Sequence, residues 1–210
     1  MALALNPSLL IADEPVTALD VIVQHQILEV FQQLQDELNL TVLLITHDIS
    51  VVAQVCDSVA VMYAGRIAER ADAASFFKAP NHPYSLGLQQ AFPNVMQPKD
   101  TLVTIEGYPP DLRQPPTGCR FAERCPFVEE RCRHTEPQLV EITNGNKAAC
   151  LRSDEMVELR EQAHDPEVWK HTEVQQKLDA YASQQSTPNN GMAQRTVSDN
   201  DDIIIEVKGV

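Results

Sequence analysis

Residues 8–13 (SLLIAD) form a short, nearly continuous apolar run that ends on an acid. That pattern predicts a strand buried on both faces. Val23, Ile27, Val30, Phe31, Leu34 and Leu38 then recur at helical spacing with polar residues between them, which predicts an amphipathic helix. Asp20 stands where its N-cap belongs and Asn39 where it should stop. TVLLIT (41–46) is a second apolar, β-branched run and ends at His47-Asp48. ISVVAQVC predicts a short helix and SVAVMY (58–63) a third strand, after which Ala64-Gly65-Arg66 turns into RIAE. Strand, helix, strand, helix, strand with short links predicts an α/β fold, a parallel sheet with crossover helices that amounts to half a domain.

From Asp72 the texture changes. ADAASFFKAP and HPYSLGLQQAF each read as helical, and prolines then become dense: Pro93, Pro98, Pro109, Pro110, Pro115 and Pro116. Such a segment is irregular and held by contacts rather than by its own ladder. Cysteines 119, 125, 132 and 150 lie just beyond it. Residues 154–182 predict one or two polar helices broken at Asp165-Pro166, residues 183–202 have linker composition, and the chain ends on the strand-like IIIEVKGV.

Composition narrows the function. A net charge of −14 argues against binding a nucleic-acid backbone, which needs clustered Lys and Arg. Much of the acidity belongs to the tail, where twelve acids face five bases after Arg152. No run of 18 apolar residues exists to span a membrane. Residues 1–12 lack the basic start of a secretory signal, so the five cysteines read as a metal or cofactor set and not as disulfides.

Chemistry gathers at the strand ends. In an open parallel sheet, ligands sit outside the carboxyl ends of the strands. Asp13-Glu14 and Thr46-His47 occupy two such ends joined by one crossover, so they are expected on one edge and able to share a ligand. An acid there suits Mg²⁺, which is held by one or two carboxylates plus phosphates. A second acid could orient or deprotonate a water, and a histidine N–H could reach a terminal phosphate. Acids also end strands simply because the chain returns to solvent; the joint pattern is what carries specificity.

That joint pattern resembles the nucleotide-binding domain of ABC transporters. LLIADEP is similar to the Walker B strand with its adjacent glutamate, TALD to the D-loop and LLITHD to the H-loop. The resemblance implies ATP and Mg²⁺ as ligands. On it, Asp13 coordinates Mg²⁺ through water, Glu14 is the general base, His47 contacts the γ-phosphate and Asp20 sits at the interface of two such domains. Val16 stands where the family often has a small polar residue. Neither a GxxxxGK[ST] phosphate loop nor an LSGGQ-like signature occurs in the 210 residues. Met1 is therefore expected to be an internal methionine, with the first half of the domain preceding it.

Cys119-x5-Cys125-x6-Cys132-x17-Cys150 is the second strong signal. Four thiolates can enclose a [4Fe–4S] cluster or a tetrahedral Zn²⁺, and the spacing matches neither zinc ribbons nor ferredoxins. Arg120, Arg124, Arg131 and Arg133 flank the quartet and are expected to lower thiol pKa values. Cys56 reads as a small core residue, and His82 and His134 as non-ligands. HPYSLGL, TIEGYPPDL, PTGCRFAERCPF and the distant AAC resemble the C-terminal extension of oligopeptide and dipeptide importer ATPases. Within that family the quartet is associated with an iron–sulfur cluster in some members.

The expected organisation is the back half of an ABC ATPase domain (1–78), the Cys-containing extension (79–153), polar helices and linker (154–202), and the first strand of a second, fused ATPase domain (203–210). The resemblance implies an ATP-hydrolysing subunit that energises peptide import. Its partners would be membrane-spanning permease subunits and a second ATPase domain, at the cytoplasmic face of the inner membrane. The rival reading is a non-enzymatic fragment or a metal- or cluster-binding interaction module, because the phosphate loop is absent; whether this chain itself is an enzyme stays open.

Overall fold

The computed structural model describes residues 2–91, 104–143 and 145–170. Its first unit is β1 (Leu9–Asp13), α1 (Val21–Leu38), β2 (Thr41–Ile45) and α2 (Ile49–Val55). β1 and β2 pair in parallel, with Leu9 opposite Thr41 and Asp13 opposite Ile45. This is the crossover unit that the two apolar runs and the intervening helical period predict. Asp20 caps α1 as expected, accepting from the Ile22 and Val23 N–H groups at 3.0 Å. Asn39 ends it in the left-handed conformation at φ 49°, which Asn tolerates better than most residues.

Two expectations change here. The most buried residue of α1 is Leu28, packed with Val16 and Val51, and not one of the six residues first read as the stripe; Val23, Val30 and Leu38 are exposed. The β1–β2 pair is also covered on one face only. Ala12, Val42 and Leu44 turn toward the helices, whereas Leu9, Ile11, Leu43 and Ile45 are between 46% and 60% exposed. Among the described residues no element packs over that second face.

The third strand exists, but it does not join the parallel pair. β3 (Ser58–Tyr63) returns antiparallel to β4 (Arg66–Asp72). Ala64 and Gly65 both have positive φ, 47° and 77°, the two-residue hairpin turn whose twist matches paired strands. The turn geometry therefore decides the partner of β3 locally. β4 in turn pairs with β6 (Asn146–Ala148), and β6 with β5 (Val140–Thr143), giving a second sheet of order β3-β4-β6-β5.

α3 (Ala73–Lys78) and α4 (Pro83–Ala91) follow the hairpin, as their periodicity predicts. The proline-rich stretch leads to α5 (Glu130–His134), and α6 (Met156–Ala163) closes the described chain with a 3-10 turn at Pro166–Trp169. A core of Tyr63, Leu86, Phe121, Phe127, Met156, Leu159 and Trp169 joins the hairpin, α4, the cysteine segment and α6. Trp169 is 2% exposed and its indole N–H donates to the Ala163 carbonyl at 2.9 Å, so it packs without leaving its one donor orphaned. The break at Asp165-Pro166 is present, with Asp165 accepting from the Glu167 N–H. The terminal strand expected at 203–210, the whole linker at 183–202 and the expected helical residues 171–182 lie outside the described residues.

Candidate functional site

Parallel pairing puts the residues after β1 and after β2 on one edge. The Glu14 N–H donates to the Ile45 carbonyl at 2.8 Å, carrying the ladder one step past β1. Glu14 has φ 46° and Ala18 φ 63°, so the chain turns sharply between them. The Glu14 carboxylate is then gripped from two sides. Oε1 lies 2.8 Å from His47 Nδ1 and accepts from the His47 backbone N–H at 3.0 Å. Oε2 accepts from the Thr17 hydroxyl at 2.7 Å, with the Thr46 hydroxyl further off at 3.5 Å.

These bonds favour the charged forms of both partners. The Thr17 hydroxyl first, and the His47 ring second, hold Glu14 below its ordinary carboxyl value. The bond to Glu14 raises His47, although the ring is 79% exposed. Asp48 caps α2 by accepting from the Ser50 N–H at 2.8 Å, and Gln24 of α1 reaches its other oxygen at 3.4 Å. Glu14, Thr17, Gln24, Thr46, His47 and Asp48 together line one open cleft.

Of the residues singled out in the sequence, Glu14 and His47 meet directly. Asp13 ends β1, exposed, and is not on the cleft wall; Asp20 is committed to the N-cap of α1. Thr17 and Asp48 are the functional neighbours that pattern reading passed over. Thr17 sits inside TALD, and Asp48 two residues before Ser50 is a capping signal, so both signals were in the sequence but had no geometry to attach to.

The second site is the cysteine quartet. Cys119, Cys125, Cys132 and Cys150 line one cavity together with His82 and Arg152. The Cys119 N–H donates to the Cys132 carbonyl at 2.8 Å, and the Arg152 N–H points at the Cys150 sulfur at 3.4 Å. Gly118 makes the fold-back possible: a Cβ there would meet the Cys132 carbonyl oxygen at 2.4 Å. All five cysteines are free thiols. Cys56 is the C-cap of α2, half-buried and far in the chain from the quartet. Among the described residues no group of three or more His, Cys, Asp or Glu side chains is arranged to hold a metal ion.

The flanking arginines do not act as the sequence suggests. Burial raises Cys119 and Cys125, and pushes Cys150 up to about 12. Arg124 is spent on the Ile105 and Glu106 carbonyls and the Tyr63 hydroxyl, Arg131 on Glu129 and Glu155, Arg133 on Glu123, and Arg120 on the Ala64 carbonyl. Arg152 is the cation at the cavity, and it offsets part of the rise at Cys150. His134 pairs with Glu130 on the surface.

Comparison with known proteins bears on both sites. Residues 68–132 match the family described as "Oligopeptide/dipeptide transporter, C-terminal region". A probable peptide ABC transporter ATP-binding protein, y4tR of Sinorhizobium fredii, is 50% identical over 160 residues, covering 76% of this chain and 48% of that protein. The oligopeptide transport ATP-binding protein OppD of Escherichia coli is 49% identical, over 72% of this chain and 45% of that one. The dipeptide transport ATP-binding protein DppD of the same organism is 44% identical, over 71% and 46%. The chain thus spans about half the length of the curated relatives it matches. The solved structure of cbiO1 from Clostridium perfringens, part of the ABC transporter complex cbiONQ, overlaps 36% of this chain and 30% of that one at 36% identity, but its TM-score of 0.35 is too low to bear on the fold.

Proposed function

We propose that this chain, which is similar to ATP-binding proteins of oligopeptide and dipeptide ABC transporters over about half of their length, is the hydrolysing half of an ATPase domain that drives peptide import. The observation that carries the reading is the Glu14–His47 contact at the ends of two adjacent parallel strands. Two carboxylates and a histidine at that edge suit a phosphate-bearing ligand. Mg²⁺ takes one or two protein carboxylates beside phosphate oxygens, a demand that Asp13 and Glu14 meet in kind.

The roles follow from the bonds. Asp13 would be the residue to hold Mg²⁺ through water, and the ion would supply charge to offset that of the phosphates. A carboxylate has about four acceptor positions. Glu14 uses three of them at 3.0 Å or less and meets Thr46 at the fourth only at 3.5 Å, a position the attacking water would take over to pass its proton to Glu14. His47 directs Nδ1–H at Glu14, so its Nε2 would donate to a γ-phosphate oxygen in the imidazolium form, which the bond to Glu14 favours. Asp20, at the start of α1, would face a second ATPase domain. The substitution Glu14→Gln in the full-length protein tests the assignment: ATP binding is retained and turnover is lost. Near-normal hydrolysis would remove Glu14 as the base.

The cysteine cavity supports a second, finer part of the reading, a [4Fe–4S] cluster or Zn²⁺ on Cys119, Cys125, Cys132 and Cys150. Its support is four thiols on one cavity with a backbone N–H aimed at one sulfur. The donor set fits in kind, and binding would draw the thiols toward a common point. Iron and sulfide in anaerobically purified protein are the expected result, and stoichiometric zinc without iron selects the other metal. We further read residues 1–78 as ATPase domain, 79–153 as extension, 154–202 as helices and linker, and 203–210 as the opening of a second ATPase domain. Permease subunits would hold the protein peripherally at the cytoplasmic face of the membrane. Among the described residues no helix is long and apolar enough to cross it.

A further inference from the structure

β4 grips the chain after β6 only as far as Ala149, whose N–H donates to the Ala68 carbonyl at 2.8 Å. Cys150 comes next and lies beyond that ladder. The other three of the quartet share one continuous segment, in which the Cys119 N–H reaches the Cys132 carbonyl. Arg152 makes the connection between the two. Its own N–H donates to the Cys150 sulfur at 3.4 Å, and its Nη1 donates to the Phe127 carbonyl at 3.0 Å. Phe127 lies inside the turn that the Val128 N–H closes on the Cys125 carbonyl at 3.3 Å. One residue thus grips both the last cysteine and the turn that follows Cys125.

The rest of the guanidinium closes a ring of alternating charge. Arg152 Nε donates to Glu155 Oε2 at 3.0 Å and lies 3.2 Å from Glu129 Oε1, and Nη2 donates to the same Glu155 oxygen. Arg131 completes the circuit from the other side. Its Nε donates to Glu129 Oε2 at 2.6 Å and its Nη2 to Glu155 Oε1 at 3.4 Å. Each carboxylate therefore offers one oxygen to each arginine. Glu129 is the N-cap residue of α5, and its carbonyl accepts from the Cys132 N–H at 2.9 Å. The Glu155 N–H donates back to the Arg152 carbonyl at 3.1 Å. An isolated surface pair contributes little, whereas several charges in one network can hold a geometry. With its side chain 19% exposed, Arg152 is the member most withdrawn from water.

We propose that Arg152 is a positioning residue of the cysteine site: the ring of two arginines and two glutamates clamps the Cys150 end of the chain to the segment bearing Cys125 and Cys132, and keeps the four thiols on one cavity. The inference rests on reading the four cysteines as one site. Arg152 already has two acids to offset its charge, so its part at the cavity is directional, through donors held in a fixed fork.

The test is site-resolved alkylation with iodoacetamide on reduced, chelator-treated full-length protein, with Cys56 at the end of α2 as the internal reference. Arg152→Gln removes the ring and the reach to Phe127. It is expected to label Cys150 about tenfold faster, because lost hydrogen bonds to charged groups make local opening more frequent, with the Cys56 rate unchanged. The sign separates a clamp from a charge alone. A cation that only favoured the reactive thiolate would, once removed, slow Cys150. An unchanged or slower Cys150 rate overturns the proposal, and so does an equal rise at Cys56, which marks general loosening. Arg131→Gln covers the case in which the first variant fails to fold. Arg131 is half exposed and its side chain bonds to the two acids, so opening the ring there should still speed Cys150 about twofold. A wild-type Cys150 rate in that variant overturns the ring. Absence of both iron and zinc from the purified protein would sink the metal reading, while these rates, taken on metal-free protein, still judge the clamp.

Discussion

The Glu14 carboxylate and the His47 ring meet at 2.8 Å although 33 residues separate them in the chain. Neither residue is buried, and no core contact forces them together. Their meeting follows from parallel pairing of β1 with β2, which brings two strand ends to one edge. If His47 both steadies Glu14 and reaches the phosphate, His47→Ala in the full-length protein should keep ATP binding and lower turnover by about 10²-fold or more. Steady-state ATPase rates set against nucleotide binding provide the check, and a turnover near wild type would assign the contact a purely structural part.

Thr17 holds the other oxygen of the same carboxylate at 2.7 Å. Thr17→Val preserves shape and removes the hydroxyl. Hydrogen bonds to charged groups contribute about 1.5–3 kcal/mol, so turnover should fall roughly tenfold while nucleotide affinity stays close to wild type. Thr17→Ser, which restores the hydroxyl, should recover most of the rate. Equal rates in all three proteins would show that His47 alone orients Glu14.

Gly118 lies where the cysteine segment folds back against α5. A methyl group there would approach the Arg133 carbonyl carbon and the Cys132 oxygen at 2.4 Å, both of them backbone atoms that cannot swing aside. Gly118→Ala should therefore destabilise the fold by about 1–3 kcal/mol through overpacking, read as a lower urea midpoint at unchanged slope. A midpoint equal to wild type would mean the segment shifts freely.

Glu69 is fully buried in β4, with Oε1 accepting from the Asn81 N–H just before α4 and Oε2 without a partner. Burial raises its pKa above that of an exposed carboxyl, and the hydrogen bonds from Asn81 offset only part of this. With the folded value raised, the stability it confers is complete below the ordinary carboxyl range and is lost as pH rises through the raised value. Glu69→Gln keeps an oxygen for the Asn81 N–H and carries no charge. From about pH 4 upward the wild type should lose stability relative to the variant, measured as urea midpoints across pH. Parallel profiles would show that the carboxyl titrates as it does in the unfolded chain.

Much of this was legible in the chain itself. Short apolar runs ending in Asp13-Glu14 and Thr46-His47, with a helical period between them, contain the whole β1–α1–β2 unit, because period and capping are local properties. The caps Asp20 and Asn39 and the break at Asp165-Pro166 were legible for the same reason. The stripe of α1 was less so. Its apolar residues surround much of the helix, and only packing against Val16 and Val51 selects Leu28 as the buried one.

The sequence by itself determined which residues could do chemistry: the acids and histidine after the strands, and four cysteines past a proline-rich stretch. Tertiary structure decided what each of them faces. β3 left the parallel pair because two positive-φ residues at Ala64-Gly65 fold it back on β4. Long-range pairing of β4 with β6 then delivered Cys150 to the other three cysteines. The arginines beside Cys119, Cys125 and Cys132 turned to carbonyls and acids, while Arg152, next to Cys150, and His82, from another part of the chain, line the cavity. Spacing along a chain records neighbours in one dimension; hydrogen-bond satisfaction and burial act in three, and they raise the Cys119, Cys125 and Cys150 thiols and set the partner of each charge.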